Sequence, residues 1–550
     1  MTTFEGPPVE LTPGIGARTL GGFLVEVADR FGGYEALVFD DPLLGGRTQR
    51  WTYSQLAEQS WKVAGGLAAA GVRPGGRVGI LMGSRPEAVA AFFGAALCGA
   101  TAVLMSTFSA PAEIEYLVNH SGVQVLLTQA TLLGRALVSE VEALSTPGLE
   151  TVAAVGGDWE DFLGRGRTIA GEDLQARAAA VRPQDDGTVV YSSGTTDRPK
   201  GILHSNGAPS LQFWVQSRVF GRTPATRMWT ALPMFWTAGL NTAMGATLAA
   251  GACWVMQETF QPGEALALMA REAVTEPYTL PHQTAALVEL PEWDAADLSS
   301  LKYVYGKSAF ARHPSVKGDP DWNFPVGYGL SETCAAFASH YCDDPRELLR
   351  QSTGRLLPGN RLRVVDPDTG RLLGPGESGE LAVAGPTLME HYVGKTRDEC
   401  LDPDGFFHTG DAGWFDEAGF LHWTGRRSEM IKTGGANVSP AEIEVALRAF
   451  GPAKLARVIG RPDARLGEIA VLCLVLRDGE TASTEDVRSF LRERLASYKV
   501  PKEILFLADG EVPMTSSDTK VRDEELRRII DARLDAKAST TTGEHRDDHQ

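Results

Sequence analysis

Cysteine and positive charge are both scarce in this 550-residue sequence, and each shortage excludes a class of protein. The six cysteines lie far apart, and none forms a Cys-x-x-Cys pair or a ligand cluster with histidine. We therefore expect reduced thiols in a cytoplasmic protein rather than a disulfide framework. Lysine and arginine number 52 against 70 acidic residues, which gives a net charge of −18. This balance argues against a nucleic-acid partner bound by charge.

Targeting and membrane signals are also lacking. Residues 1–16 contain prolines and acids but not the basic-then-apolar order of a secretory signal. Two nearly uncharged stretches, 88–113 and 228–257, are long enough to raise the question of a membrane span. Glycine, proline and hydroxyl residues interrupt both, so buried helix plus strand is predicted there instead. The polar residues 538–550 are expected to form a disordered tail.

A run rich in hydroxyls and glycines follows a strand-like segment at 188–191. It reads Ser192-Ser193-Gly194-Thr195-Thr196-Asp197-Arg198-Pro199-Lys200-Gly201. Glycines let backbone N–H groups approach a polyanion, and one arginine and one lysine add positive charge. The order differs from a Walker A loop, in which Gly-Lys-Ser/Thr closes the run. The run predicts a phosphate-binding loop, and an ordinary surface loop is the alternative.

Apolar spacing predicts an α/β architecture for most of the chain. Helices are expected at 19–31, 51–70, 85–98 and 112–120, and strands at 77–82, 101–105 and 123–128. Strand, helix and strand at these lengths are typical of a parallel sheet covered on both faces. Since residues 188–341 repeat the alternation, we predict a large domain of two doubly wound α/β sheets.

The pattern changes after residue 360. Short strands at 361–365 and 379–383 are separated by Asp-Pro and Gly-Pro-Gly turns, which predicts a small antiparallel, barrel-like part. The last part predicts a small α+β domain. Its expected elements are helix 440–449, strand 469–476, helix 484–495 and helix 523–536.

Five further polar or aromatic stretches stand where strands should end. In order, they are 232–239, Gly327-Tyr328-Gly329-Leu330-Ser331-Glu332-Thr333, Thr409-Gly410-Asp411, Gly425-Arg426-Arg427 and Lys432-Thr433-Gly434-Gly435. Each alone is typical of an ordinary turn. With the hydroxyl-rich loop and in this order, they resemble the adenylate-forming superfamily of acyl-CoA synthetases, firefly-type luciferases and peptide-synthetase adenylation domains. The resemblance extends from residue 51 to residue 520.

The resemblance implies a nucleotide site for ATP or an acyl-adenylate. The β- and γ-phosphates would be held by Ser192, Ser193, Gly194, Thr195, Thr196 and Lys200, of which Thr196 also counts as catalytic. Adenine would stack on Tyr328, near Ser331. The other wall would be Gly306-Lys307-Ser308, where the family more often has Gly-Gly-Ala.

The same resemblance implies a metal site and a ribose site. Glu332 matches the catalytic carboxylate that holds Mg²⁺, which would neutralise charge on the phosphates. Asp411 and Arg426 match the pair that binds the ribose hydroxyls. An acid suits that position because two hydroxyl donors need a strong acceptor.

The family's reaction has two steps and a domain rotation. A carboxylic acid attacks ATP to give an acyl-adenylate and pyrophosphate, and coenzyme A then displaces AMP. By resemblance, Ser428 is the hinge, where the family usually has Asp or Lys, between domains 1–427 and 428–537. Catalytic Lys432, with Gly434 and Gly435, would form the coenzyme A-binding face of the second step.

An apolar acid is the expected substrate. The resemblance places the acyl pocket at Phe235, Trp236, Gly239 and Gly327, with Phe213, Trp214 and Met234 as further candidates. Many members have histidine at the Trp236 position, and an indole there favours an apolar acyl group. A fatty, aryl or alicyclic carboxylic acid is therefore predicted.

One departure concerns the lysine that the family uses for adenylation, which normally closes a Pro-x-Thr-x-Ser/Thr-Gly-Lys run. Here the chain reads Pro513-Met514-Thr515-Ser516-Ser517-Asp518-Thr519-Lys520, without the glycine and with Lys520 one residue late. Three alternatives stay open: a complete acyl-CoA ligase, a ligase that only thioesterifies a preformed adenylate, and a silent adenylate-binding protein. A homodimer and a separate enzyme that supplies acyl-AMP also stay open.

Overall fold

The computed structural model describes most of the chain. The described residues are 2–192, 199–427, 430–433, 436–463, 466–495, 499–514 and 521–543.

A seven-stranded sheet forms the first layer of the structure. Its strands, in spatial order, are His391–Tyr392, Lys200–Ser205, Asp186–Ser192, Thr101–Leu104, Arg77–Leu81, Val125–Gln129 and Thr151–Val155. The last five strands of this order pair in parallel, and the first three pair antiparallel. Every residue of Val125–Gln129 is buried, because helices cover both faces of a parallel sheet.

A second, five-stranded sheet packs in the same large domain. Its strands, in spatial order, are Glu276–Pro277, Arg227–Thr230, Cys253–Met256, Glu35–Asp41 and Arg47–Thr52. The helices of this part of the chain are Leu20–Phe31, Tyr53–Ala69, Pro86–Leu97, Pro111–Ser121, Leu137–Glu142, Trp159–Arg165, Gly171–Ala180, Gly207–Val219, Ala246–Ala249, Pro262–Arg271, Pro281–Val288 and Arg346–Gln351, with a π-helix at Ala238–Gly245. The two predicted α/β sheets are confirmed.

The start of one predicted helix was wrong by two residues. Residues 51 and 52 belong to the strand Arg47–Thr52, which pairs antiparallel with Glu35–Asp41. The helix begins at Tyr53 because Thr52 caps it: its hydroxyl accepts from Gln55 N at 3.2 Å, and Thr52 N donates to the Gln55 side chain at 2.8 Å.

Antiparallel strands make up the predicted barrel-like part. One sheet consists, in spatial order, of Phe4–Glu5, Arg361–Val365, Gly379–Ala384, Phe407–Phe415 and Leu421–Arg426. A three-stranded sheet consists of Gly327–Leu330, Ala335–Ser339 and Arg355–Leu356, and a hairpin joins Thr131–Leu132 to Arg135–Ala136. These strands bring several of the predicted site residues to one region.

A small α+β unit follows. Its strands are Ile431–Thr433, Ala436–Val438, Ala453–Asp463, Gly467–Leu476 and Glu503–Phe506, and its helices are Pro440–Leu447, Thr484–Arg492 and Asp523–Gly543. Among the described residues, each buried apolar cluster lies wholly before or wholly after residue 427. This separation supports the predicted division at 427 and 428, which stays a prediction.

The last helix runs further than expected. It continues past residue 537 to Gly543, although 538–550 was predicted as a disordered tail. No glycine or proline interrupts the chain between Asp523 and Gly543, so nothing in the sequence ends the helix earlier. Of the described helices, none is both long and apolar enough to cross a membrane.

Candidate active site

Asp411 and Arg426 face each other on two neighbouring strands. They are direct partners in the register of Phe407–Phe415 and Leu421–Arg426, and Arg426 Nε lies 2.9 Å from Asp411 Oδ1. Asp411 is 2% exposed, whereas the Arg426 side chain is 45% exposed. The Asp411 carboxylate is therefore buried, and its charge is compensated by a guanidinium group that is partly exposed to solvent.

Tyr328 reaches the same carboxylate from the three-stranded sheet. Its hydroxyl donates to Asp411 Oδ2 at 2.8 Å, and its ring stacks near Trp423 at 6.4 Å between centroids. Burial, and then the Asp411 carboxylate, raise the pKa of Tyr328, so the phenol stays neutral and remains a donor. Three residues predicted from separate motifs, Tyr328, Asp411 and Arg426, thus meet in one network.

The turn before Asp411 orients the carboxylate. Thr409 Oγ1 donates to Leu381 O at 2.8 Å and accepts from Asp411 N at 3.0 Å. Between them Gly410 has a φ of +71°, which a residue with a side chain adopts only at a cost. The Thr-Gly-Asp motif therefore supplies the hydroxyl and the glycine that this backbone conformation of the strand needs.

Glu332 lies on a short 3₁₀ turn, Ser331–Thr333, that the surrounding chain holds in place. His204 Nε2 donates to Ser331 O at 2.9 Å, and burial lowers the pKa of His204 to about 4, so the ring is neutral. Directly after the turn, Cys334 and Ala335 have φ values of +58° and +103°. Strained backbone of this kind persists where the fold over-determines it, often at functional sites.

Tyr392 connects Glu332 to the end of the hydroxyl-rich loop. Its hydroxyl donates to Glu332 Oε1 at 2.7 Å, and Lys200 Nζ lies 5.5 Å from its ring centre. Burial, and then the Glu332 carboxylate, raise the pKa of Tyr392, which keeps the phenol protonated. Sequence analysis missed Tyr392, because its two-residue strand, His391–Tyr392, has no periodic signal.

The donor set around Glu332 fits a magnesium ion. No group of three or more His, Cys, Asp or Glu among the described residues could hold a metal by itself. Mg²⁺ is usually bound by one or two carboxylates together with substrate phosphates and water. Since only Oε1 of Glu332 has a hydrogen-bond partner within the described part of the chain, Oε2 is available for such an ion.

The predicted acyl-pocket residues include an aromatic cluster. Phe108, which sequence analysis missed, meets Phe235 edge-on at 5.4 Å and Trp236 at 6.1 Å. Gly239 is needed beside them, because a Cβ there would lie 1.9 Å from Pro233 O. At Gly327 a Cβ would lie 2.7 Å from the carbonyl oxygen of the adjoining strand, so this glycine permits strand pairing.

Two of the further pocket candidates are core residues. Phe213 and Trp214 are buried, and both pack edge-on against Phe23 with ring centres 4.9 Å apart. The Trp214 indole also donates to Ala17 O at 3.0 Å. Both residues lie in the middle of a helix that is buried on all sides. The helical spacing of apolar residues therefore could not distinguish core residues from pocket residues.

The predicted second adenine wall forms a tight turn. Ser308 N donates to Tyr305 O at 2.8 Å, and Arg312 Nη1 donates to Lys307 O at 3.1 Å. Gly306 and Lys307 are exposed. The buried Ser308 hydroxyl has no hydrogen-bond partner within the described residues. A hydrogen bond from a ligand group would therefore remove the free-energy penalty of an unsatisfied buried hydroxyl.

Several predicted site residues lie outside the described part of the chain. They are Ser193, Gly194, Thr195, Thr196, Ser428, Gly434, Gly435 and Lys520. Ser192 ends its strand just before this loop, and Lys200 begins the next strand, paired directly with Ser192. Lys432 is described as backbone only, in the strand Ile431–Thr433.

Comparisons with known proteins identify the family. Residues 24–393 match the model described as AMP-binding enzyme, and residues 442–518 match the AMP-binding enzyme C-terminal domain. The chain is 30% identical over 557 residues to acyl-CoA ligase sidI of Aspergillus fumigatus, covering 95% of this chain and 93% of that protein. It is 32% identical over 489 residues to indoleacetate–CoA ligase of Aromatoleum aromaticum, covering 87% and 93%.

A solved structure shows the same architecture. An anthranilate CoA ligase in complex with anthranoyl-AMP is similar with a TM-score of 0.77 and 26% identity, covering 93% of this chain and 97% of that one. The chain therefore belongs to the AMP-binding enzymes, that is, to the adenylate-forming superfamily. Within it, the chain is an AMP-forming acid–thiol ligase of the acyl-CoA synthetase branch, and it binds ATP or an acyl-adenylate. The predicted family and enzyme class are confirmed.

Proposed function

We propose that this ligase converts an apolar carboxylic acid into its coenzyme A thioester through an acyl-adenylate, with Mg²⁺ bound at Glu332. The observation that carries the proposal is the buried network of Tyr328, Asp411 and Arg426. An adenosine could place its adenine along the Tyr328 ring and its ribose hydroxyls toward the Asp411 carboxylate, which is a strong acceptor. A silent binding protein is disfavoured, since the relatives at this identity carry enzyme names.

In the first half-reaction a carboxylate oxygen of the acid attacks the α-phosphorus of ATP. The bond from that phosphorus to the bridging oxygen breaks, and pyrophosphate leaves with the electron pair. Lys200 supplies positive charge at the end of the loop predicted to hold the β- and γ-phosphates. Glu332, whose carboxylate accepts a hydrogen bond from Tyr392, would hold Mg²⁺, and the ion would add charge compensation for the phosphates.

In the second half-reaction the coenzyme A sulfur attacks the acyl carbon and loses its proton, and AMP departs. The loop containing Lys432, Gly434 and Gly435 is proposed to face the site in this step, after the domain beyond Ser428 has rotated. Ser439, next to this loop, donates to Thr424 O at 2.6 Å and caps the helix Pro440–Leu447. This contact joins the small domain to the strand that ends at Arg426.

An apolar, preferably aryl, acid is proposed as substrate. Phe108, Phe235 and Trp236 offer ring faces and edges but no charged group to an acyl chain. Relatives of this chain are named for indoleacetate and for feruloyl-CoA, both aryl compounds. These names support the choice of an aryl acid without fixing its identity.

A panel of acids tests this proposal. We expect coenzyme A thioester formation, measured by mass spectrometry and AMP release, to be at least tenfold faster with phenylalkanoic or cinnamic acids than with acetate or amino acids. The reason is that burying an aromatic ring in an apolar pocket contributes about 1.5–3 kcal/mol. A preference for small, dicarboxylic or amino acids would overturn the apolar assignment.

Replacing Tyr392 by phenylalanine tests the metal assignment. Tyr392→Phe keeps the ring against Lys200 but removes the hydroxyl that orients Glu332, so about a tenfold higher Mg²⁺ concentration should be needed for half-maximal adenylation. The measurement is pyrophosphate release against Mg²⁺ concentration, with the exposed Tyr34→Phe as matched control. An unaltered Mg²⁺ dependence in Tyr392→Phe would contradict the assignment.

A ligase limited to preformed acyl-AMP is the second candidate. It rests on the irregular run before Lys520, and the comparisons do not favour it over the complete ligase. A homodimer, a separate adenylating enzyme and a cytoplasmic location stay predictions.

A further inference from the structure

A small basic cleft lies at the start of the strand Lys200–Ser205, beside the strand His391–Tyr392. Its cavity has a volume of about 230 Å³. The lining residues are Tyr116, His120, Pro199, Lys200, Gly201, Tyr392, Val393 and Lys395.

Two lysines give the cleft its charge. Among the described residues, no carboxylate lies within ion-pair distance of Lys200 Nζ or Lys395 Nζ. The chain as a whole has a net charge of −18, and many of its basic side chains are paired with acids. Two unpaired ammonium groups in one concave site therefore favour an anionic ligand that the overall field would repel.

The other side chains that line the cleft are held in place by contacts within the protein. The Tyr116 and His120 rings stack at 4.9 Å, and Tyr116 donates to Pro199 O at 3.2 Å. His120 Nδ1 lies 2.9 Å from the Tyr191 hydroxyl, which fixes the ring. These contacts fix the Tyr116 and His120 rings in the wall of the cleft independently of any ligand.

Tyr392 separates this cleft from the Glu332 site. Its ring lines the cleft, and its hydroxyl is bonded to Glu332 on the other side. Lys200 lines the cleft and also lies at the end of the predicted phosphate-binding loop, so it connects the cleft with the proposed ATP site. An anion leaving the Glu332 region would thus pass one side chain and meet Lys395.

We propose that the cleft between Lys200 and Lys395 is a pyrophosphate-binding subsite, distinct from the position of the ATP phosphates. The inference rests on the proposed function, in which pyrophosphate must leave before coenzyme A reacts. Lys395 has no role in binding ATP in this scheme. It serves the product after the bond to the α-phosphorus has broken.

Calorimetric titration of the full chain with magnesium pyrophosphate, without acid or coenzyme A, tests the subsite. Lys395→Gln should weaken pyrophosphate binding about tenfold, because a charged hydrogen bond contributes about 1.5–3 kcal/mol. Lys395→Arg should retain most of the affinity, and Lys317→Gln, an exposed lysine outside the cleft, should bind as the unaltered chain does. ATP affinity should stay unchanged in Lys395→Gln.

Three results would overturn the proposal. They are wild-type pyrophosphate affinity in Lys395→Gln, an equal loss of ATP affinity in that variant, and equal binding of inorganic phosphate and pyrophosphate. The titration needs no turnover, so it decides the subsite even if the chain does not adenylate. Loss of pyrophosphate product inhibition in Lys395→Gln would support the subsite further, and that assay gives a signal only if the proposed function holds.

Discussion

We expect Asp411→Asn to lower kcat/KM for ATP by about a hundredfold, because it removes the charge of a buried carboxylate that contacts both Tyr328 and Arg426. The amide is a weaker acceptor than the carboxylate for the two ribose hydroxyls. Since a hydrogen bond to a charged group contributes about 1.5–3 kcal/mol, losing the charged acceptor of both hydroxyls removes about 3 kcal/mol of binding. This corresponds to roughly a hundredfold in kcat/KM.

The measurement is steady-state pyrophosphate release at varied ATP with saturating acid. Asp416→Asn is a suitable control, since Asp416 lies in the turn between the same two strands and bonds His422 at 3.0 Å rather than Tyr328. Tyr328→Phe, which removes only the hydroxyl that Asp411 accepts, should cost about tenfold, in line with one hydrogen bond to a charged group. If Asp411→Asn keeps kcat/KM for ATP within threefold, the ribose assignment is wrong.

The sequence predicted those elements whose signal is local. The strand predicted at 123–128 could be read from a few neighbouring apolar residues, and the structure has this strand at Val125–Gln129. The motif at Thr409-Gly410-Asp411 was informative because a positive φ and a hydroxyl cap are needed at that point of the strand. The motif therefore carries a local structural signal, while the ribose-binding role that the resemblance implies for Asp411 and Arg426 stays a prediction.

Other site residues depend on contacts across the sheets, which no local pattern contains. Tyr392 and Glu332 are 60 positions apart, and they meet because the edge strand His391–Tyr392 pairs with Lys200–Ser205. Phe108 meets Trp236 across an even longer stretch of chain. The antiparallel return of Lys200–Ser205 beside Asp186–Ser192 was not predicted either, although it brings Lys200 opposite Ser192.

Lys520→Ala is expected to reduce pyrophosphate formation about a hundred- to thousandfold, the effect of removing one preorganised charge at a developing anion. The residues on either side of the irregular run contact each other. Met514 and Val521 pair antiparallel, Arg522 N donates to Pro513 O at 2.7 Å, and Arg522 Nε donates to Met514 O at 2.9 Å. The chain before and after residues 515–520 is therefore held together by these contacts.

The two half-reactions separate this role from a general loss of stability. Synthetic acyl-AMP with coenzyme A should still give thioester in Lys520→Ala, since that step is proposed to use the face near Lys432. Lys502→Ala, which removes an exposed lysine, should preserve both steps. If the unaltered chain releases no pyrophosphate but uses acyl-AMP, and replacing Asp518-Thr519-Lys520 by Gly-Lys restores adenylation, then the ligase depends on adenylate made elsewhere. Brisk pyrophosphate release before coenzyme A is added excludes that dependence, and the late lysine then works from its present position.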